Sequence, residues 1–144
     1  MSTKIRNKSE KIISEAKRYR KWFGGALHQS GYMAQMAIYA LENNILNLKN
    51  DHSNAKIFYN SIINVPNISI MEVETNFVMV DISMLKVTSY EFFEKSRENG
   101  LLITPWKEKL IRIVFHMNID IIDVNKSSDI FIKVCSYFNN IIKD

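Results

Sequence analysis

The stretch Trp22-Phe-Gly-Gly-Ala-Leu-His-Gln-Ser-Gly-Tyr-Met-Ala-Gln-Met-Ala-Ile-Tyr-Ala-Leu-Glu-Asn-Asn44 organises the chain. Gly24-Gly25 breaks one helical pattern, and a second begins at about His28 or Gln29. From Met33 to Leu41 only Gln35 is polar, and Ala34, Ile38, Leu41, Ile45 and Leu48 recur at helical spacing. Met33, Met36, Ala37 and Ala40 add a second apolar face. Two apolar faces predict a central helix that is wrapped by neighbours and runs to about Lys49.

On the N-terminal side, residues 1–8 are polar and read as disordered. Ser9 can cap a helix to about Phe23, with Ile12, Ala16, Tyr19 and Phe23 on one face and basic residues opposite. Gly24-Gly25 stops it, because glycine takes the left-handed conformation that helix ends require. On the other side, Asn50-Asp51 marks a bend, and Ala55, Phe58 and Ile62 carry a third helix to Asn64 before Pro66. The period then changes. Ile68–Met71 and Phe77–Ile82 read as strands. Thr88 caps a helix over Ser89–Asn99, with Tyr90 and Phe93 inward. Leu101–Thr104 and Leu110–His116 are strands separated by a turn at Pro105-Trp106-Lys-Glu-Lys109. Ser127 or Ser128 starts a last helix, with Ile130, Val134, Tyr137, Phe138, Ile141 and Ile142 on its buried side. The whole is a single domain over 1–144, helical over 9–64 and a strand/helix small domain over 67–144. Its class is α/β in an α+β arrangement: three helices, then a small, mostly antiparallel sheet packed against helices.

At 144 residues, with 47% hydrophobic and 24% charged residues, the composition is that of a globular protein. No apolar run approaches the ~20 residues of a membrane span. The N-terminus has no apolar signal region, and the lone Cys135 forms no internal disulfide, so the expected compartment is the cytoplasm. The net charge of +4 concentrates between Lys4 and Lys21. Glu10 and Glu15 interrupt the cluster and no RNA-module pattern accompanies it, so it reads as a solvated helix face. Neither a nucleic acid nor a membrane is an expected partner. Three histidines and one cysteine show no metal-ligand spacing, and His52 reads as a helix or capping residue.

Several blocks, in order, are similar to one family. They are Arg20-Lys-Trp-Phe-Gly-Gly-Ala-Leu-His-Gln-Ser-Gly31, Tyr39-Ala-Leu-Glu-Asn-Asn44, Asp51-His-Ser-Asn-Ala-Lys56, Val73-Glu-Thr-Asn-Phe-Val-Met-Val-Asp81, Gly100-Leu-Leu-Ile-Thr-Pro105 and Ile111-Arg-Ile-Val-Phe-His116. Together they resemble the C-terminal portion of the L-threonine aldolases, members of the pyridoxal-phosphate (PLP) β-eliminating lyases. The resemblance implies the small domain of a fold-type-I PLP enzyme. The parent reaction is retro-aldol cleavage of threonine to glycine and acetaldehyde.

Taken by strand period alone, Arg112 is an exposed arginine between core-facing Ile111 and Ile113. The resemblance instead implies that it binds the substrate α-carboxylate, a task suited to a guanidinium with two parallel donors and a permanent charge. His116 also matches a family position, although a strand-end histidine satisfied by backbone is the plainer reading. Asn118 stands where the family often has Asp. Lys21 and His28 flank the glycine turn, and the resemblance places basic residues here at the cofactor. His28 replaces the family's arginine, and a shorter, mostly neutral residue type holds phosphate more weakly. The family's cofactor lysine lies in a Ser-Lys-Gly-like turn, and no lysine in this chain precedes a glycine. The reading is therefore a truncated aldolase-like lyase, inactive alone, with no covalently held PLP. Its partners would be a second copy or a complementary N-terminal segment, and in the complete enzyme a small amino-acid substrate. The alternative is a non-enzymatic binding or assembly module derived from the same fold.

Overall fold

The computed structural model describes residues 3–25 and 27–142; Met1 and Ser2, part of the stretch read as disordered, lie outside them. The chain falls into two compact units, residues 1–42 and 43–144.

The first unit holds two helices, α1 (Thr3–Trp22) and α2 (Ser30–Asn43). α1 begins at Thr3, so Ser9 lies within it and does not cap it. Its end matches the glycine signal. Gly24 has φ +73, its N–H reaches Lys21 O at 3.3 Å, and the Gly25 N–H reaches Arg20 O at 2.8 Å. This pair of bonds is a Schellman closure. A β-carbon at Gly25 would lie 2.8 Å from Arg20 Cγ and 3.1 Å from Arg20 O. On α1, Arg18 lies over the Trp22 ring at 4.5 Å, and Tyr19 meets Trp22 edge-on. α2 differs from the sequence reading. It ends at Asn43 rather than Lys49, and none of its residues is buried, so nothing described wraps it.

The second unit opens with a single 3-10 turn, Ile45–Asn47, and α3 (Leu48–Ile62). The helix break thus falls near Asn44, and Asn50-Asp51 belongs to the first turn of α3. Asp51, Ala55, Phe58 and Ile62 form its buried stripe. Then come β1 (Ser69–Ile70), β2 (Phe77–Asp81), a 3-10 turn at Ser83–Leu85, α4 (Ser89–Glu98), β3 (Thr104–Lys107), β4 (Leu110–Val114) and α5 (Ile121–Ile141). The sheet order is β1-β2-β4-β3 with every pair antiparallel. This agrees with the expected α+β arrangement.

Thr88 caps α4 as expected, through a reciprocal capping box with Glu91. The buried face is set by Ser89, Phe92 and Ser96; Tyr90 is exposed and Phe93 half-buried, so the inward face was read one residue out of phase. Pro105 and Trp106 are strand, not turn, and the turn is Glu108-Lys109. Proline is tolerated because β3 is the outermost strand, and the ladder is irregular between Pro105 and Lys107. α5 starts at Ile121, capped by Asp120 in a box with Asp123, and not at Ser127. Of its predicted inward residues, Val134 and Phe138 are buried, whereas Tyr137 and Ile141 are exposed.

The helices cover one face of the sheet. Val78, Val80, Ile111 and Ile113 face them and are buried, as is Phe115 just beyond β4. Phe131 of α5 joins the layers, with its ring 5.6 Å from Phe58 and 5.1 Å from Phe92. The buried hydroxyls of Ser96 and Ser128 donate to Phe92 O and Val124 O, so they cost little to bury. Asn139 of α5 accepts from Asn67 Nδ2 at 2.6 Å and donates to Pro66 O at 3.2 Å, which ties down the loop after α3.

Three outcomes follow. Thr88→Ala should lower stability by about 1 kcal/mol, the usual cost of an N-cap, measured by urea unfolding. Thr88's backbone N–H, then its hydroxyl, hold Glu91 below the ordinary carboxylate value of 4.5. The box therefore stabilises above that value and is lost as pH falls below it, through the lowered pKa of the folded state, so the stability gap between wild type and Glu91→Gln should narrow on acidification. Burial pushes the Cys135 thiol up to about 12. Labelling by a thiol reagent at pH 8 should accordingly proceed only at the rate at which the fold opens.

Candidate functional site

Because a strand alternates its side chains, burying Ile111 and Ile113 forces Arg112 onto the opposite face of the sheet. Within the second unit, no described helix buries that face. Arg112 stands in the middle of β4, paired across the ladder with Met79 of β2 and Thr104 of β3. Its guanidinium lies 4.2 Å from the Trp106 ring centroid and 5.7 Å from that of Phe77. Arg112 is half-buried, yet its Nε is enclosed and has no hydrogen-bond partner. The ion pairs seen in the second unit, Lys95–Glu98 and Arg97–Glu94, do not involve it.

This is a held but unsatisfied cation. The indole of Trp106 holds the guanidinium by a cation–π contact, while Nε lacks a hydrogen-bond partner. Phe77, Trp106 and Val114 around it are exposed. Such a wall, apolar with one planar cation, suits a small carboxylate whose other end is held elsewhere. The sequence singles out Arg112 but not Trp106, whose strand reads as a turn beginning at Pro105. The signal was present in the bulky Trp106 beside a strand that already showed clear alternation.

His116 lies just past β4 and is exposed. Its Nδ1 accepts the Asn118 N–H at 3.4 Å and its carbonyl accepts the Ile119 N–H at 2.9 Å. This is the turn-forming role of a strand-end histidine.

In the first unit, Lys21 and His28 line one shallow cavity together with Arg20, Gly24, Gly25, Leu27 and Ser30. The Schellman closure turns the chain so that Arg20, Lys21 and His28 line one cavity beside the start of α2, where Gln29 has φ 53. Free N–H groups at a helix start add to this positive field. The cavity suits an anion of phosphate size.

Lysines are placed differently. Of those whose side chains are described, only Lys95 and Lys109 are half-buried. Lys95 pairs with Glu98 at 2.8 Å and lies over Tyr137, and Lys109 donates to Val87 O at 3.1 Å. Among the described residues no group of three or more His, Cys, Asp or Glu side chains could hold a metal ion, and no helix is long and apolar enough to cross a membrane.

Comparison with known proteins agrees with this layout. The chain is 31% identical to low-specificity L-threonine aldolase 1 of Arabidopsis thaliana over 85% of its own length. It is 33% identical to the probable low-specificity L-threonine aldolase 2 of the same plant over 88%. To the low specificity L-threonine aldolase of Escherichia coli K12 it is 30% identical over 74%. It spans 35%, 36% and 31% of those relatives' lengths. Among solved structures, it is similar in fold to an ornithine aminotransferase from Toxoplasma gondii in which PLP partially occupies the active site. The TM-score is 0.57 at 17% identity, covering 65% of this chain and 23% of that one. The family model for beta-eliminating lyases matches residues 7–85, more than half of the chain. With the ordered sequence blocks, the one-sided sheet and these relatives in agreement, the chain belongs to the beta-eliminating lyase family.

Proposed function

We propose that this chain forms the amino-acid-binding wall of a PLP-dependent lyase that cleaves threonine to glycine and acetaldehyde. The observation that carries the reading is Arg112, whose guanidinium lies over the Trp106 ring and whose enclosed Nε has no hydrogen-bond partner. It is supported by the threonine aldolase relatives.

The described residues fit part of the cofactor. Lys21, His28 and Arg20 offer an anion cavity for its phosphate. No described lysine fits its covalent attachment, since the half-buried ones are engaged and the others stand in solvent. PLP, when bound, supplies the electron sink for breaking the Cα–Cβ bond. This chain's residues bind and orient. Arg112 would grip the α-carboxylate through two parallel N–H donors, and Trp106 would keep that fork in one plane. Phe77 and Trp106 would exclude water around the ion pair and so strengthen it. The attachment lysine would come from a complementary N-terminal segment, in keeping with relatives of which this chain spans about a third. α2, which buries nothing, would be covered by that segment or by a second copy. That same uncovered helix favours a second reading, an assembly module without chemistry. Failure to regain aldolase activity with the N-terminal portion of a relative, alongside tight association, would favour it.

Two outcomes test the proposal. Borohydride reduction of the chain with PLP, followed by mass mapping, should mark scattered surface lysines at low yield; one lysine modified stoichiometrically would overturn the reading. In a reconstituted enzyme, Arg112→Lys should lower kcat/KM by roughly 10- to 150-fold, equivalent to about 1.5–3 kcal/mol for one charged hydrogen bond. Lys133→Ala should change it little. Unchanged specific activity alongside a loss of fold would make Arg112 structural.

A further inference from the structure

Of the chain's four glycines, Gly100 alone follows an asparagine. An Asn-Gly pair carries latent chemistry. With no side chain on the glycine, its peptide nitrogen can approach the side-chain carbon of the asparagine before it. The structure sets this pair at the end of α4, with Asn99 half-buried and Gly100 exposed.

The backbone there is closed on itself. Gly100 has φ +86, and its N–H donates to Arg97 O at 2.9 Å. The Leu101 N–H donates to Ser96 O, also at 2.9 Å. These are the two bonds of a Schellman closure, and Leu101 backs it by packing against the core. Asn99 is held twice. Its N–H donates to Ser96 O at 3.0 Å, and its Nδ2 donates to Lys95 O at 2.9 Å. The amide is thus turned back along the helix, away from Gly100. The nitrogen that would attack it has its own proton engaged.

We propose that Asn99 is a site of spontaneous backbone modification that the C-terminal cap of α4 holds shut. When the cap opens, the Gly100 N–H gives its proton to solvent base and the nitrogen attacks Asn99 Cγ. The new N–Cγ bond replaces the Cγ–Nδ2 bond, and Nδ2 takes a proton from water and leaves as ammonia. The resulting five-membered imide then adds one water at either carbonyl. One opening gives aspartate; the other gives isoaspartate, in which the chain runs through the side chain. Nothing is oxidised or reduced. Isoaspartate inserts a methylene into the backbone ahead of Gly100, so the Leu101 N–H loses its register with Ser96 O. The disturbed stretch leads through buried Ile103 into β3, whose Trp106 lies over Arg112.

The test incubates the full chain at pH 8, folded or in denaturing urea. Peptide mass mapping with isoaspartate-specific enzymatic methylation then follows each asparagine. In urea Asn99 should react fastest. In the folded chain the same site should react at least about tenfold more slowly, because only transient opening exposes it. Leu101→Ala keeps the Asn-Gly pair and removes the contact behind the cap. It should raise the folded rate by about threefold or more and leave the rate in urea unchanged. The wild-type comparison stands by itself if Leu101→Ala folds poorly. Equal rates in the folded and denatured wild-type chain would overturn the proposal. So would faster reaction at any other asparagine in urea, or a folded Leu101→Ala chain that reacts no faster than wild type.

Discussion

The alternation of side chains along β4 is the constraint on which the second unit depends. Ile111 and Ile113 are drawn under the helices by the hydrophobic effect, at roughly 1.5–3 kcal/mol for each large apolar side chain buried. With a period of two, the residue between them has no choice of side. Arg112 emerges on the open face because its neighbours are buried. The strands beside it then place Phe77 and Trp106 within reach of its guanidinium. Core packing and site geometry are thus one arrangement seen from two faces. A slip of one residue in the β2–β4 register would bury the arginine and expose the isoleucines.

The helices make that one-sidedness stable. Phe131 contacts both Phe58 and Phe92, so α3, α4 and α5 meet at one ring before they meet the sheet. The serines that share these buried faces donate to carbonyls of their own helices, so they leave no unpaired hydroxyl in the core. All of this apolar covering lies on one side. The other face remains a half-apolar wall with a single cation, an incomplete enclosure by its chemistry. This accounts for how the second unit stays compact while its other face stays open, in a chain that spans about a third of its relatives' lengths.

Much of this was legible in the residues. The glycine stop at Gly24, the Thr88 cap, the stripe Ala55–Phe58–Ile62 and the alternation around Arg112 are local signals, and each appears in the structure. The misreadings share a cause. Asp120 with Asp123 is a capping box built from acids, and it was passed over for the serines further on. Pro105 was read as a breaker, although on an outer strand proline displaces no ladder bond that matters. The inward face of α4 lies one residue, about 100° around the helix, from the Tyr90–Phe93 stripe, because three aromatic rings at 90, 92 and 93 leave the direction open. The exposure of α2 had no local signal at all. An apolar face states that a helix needs a partner and is silent on where the partner comes from.

The outermost strands also bear on how the molecule can associate. β1 is two residues long, and β3 carries a proline without an N–H followed by a break in register. Neither margin of the sheet offers a run of backbone groups for an incoming strand. Growth of the sheet from chain to chain, the usual route from an exposed β-surface to fibres, is closed at both ends. An apolar open face can then remain uncovered without seeding polymerisation, and contact with another polypeptide is left to side chains, where shape and charge discriminate between partners.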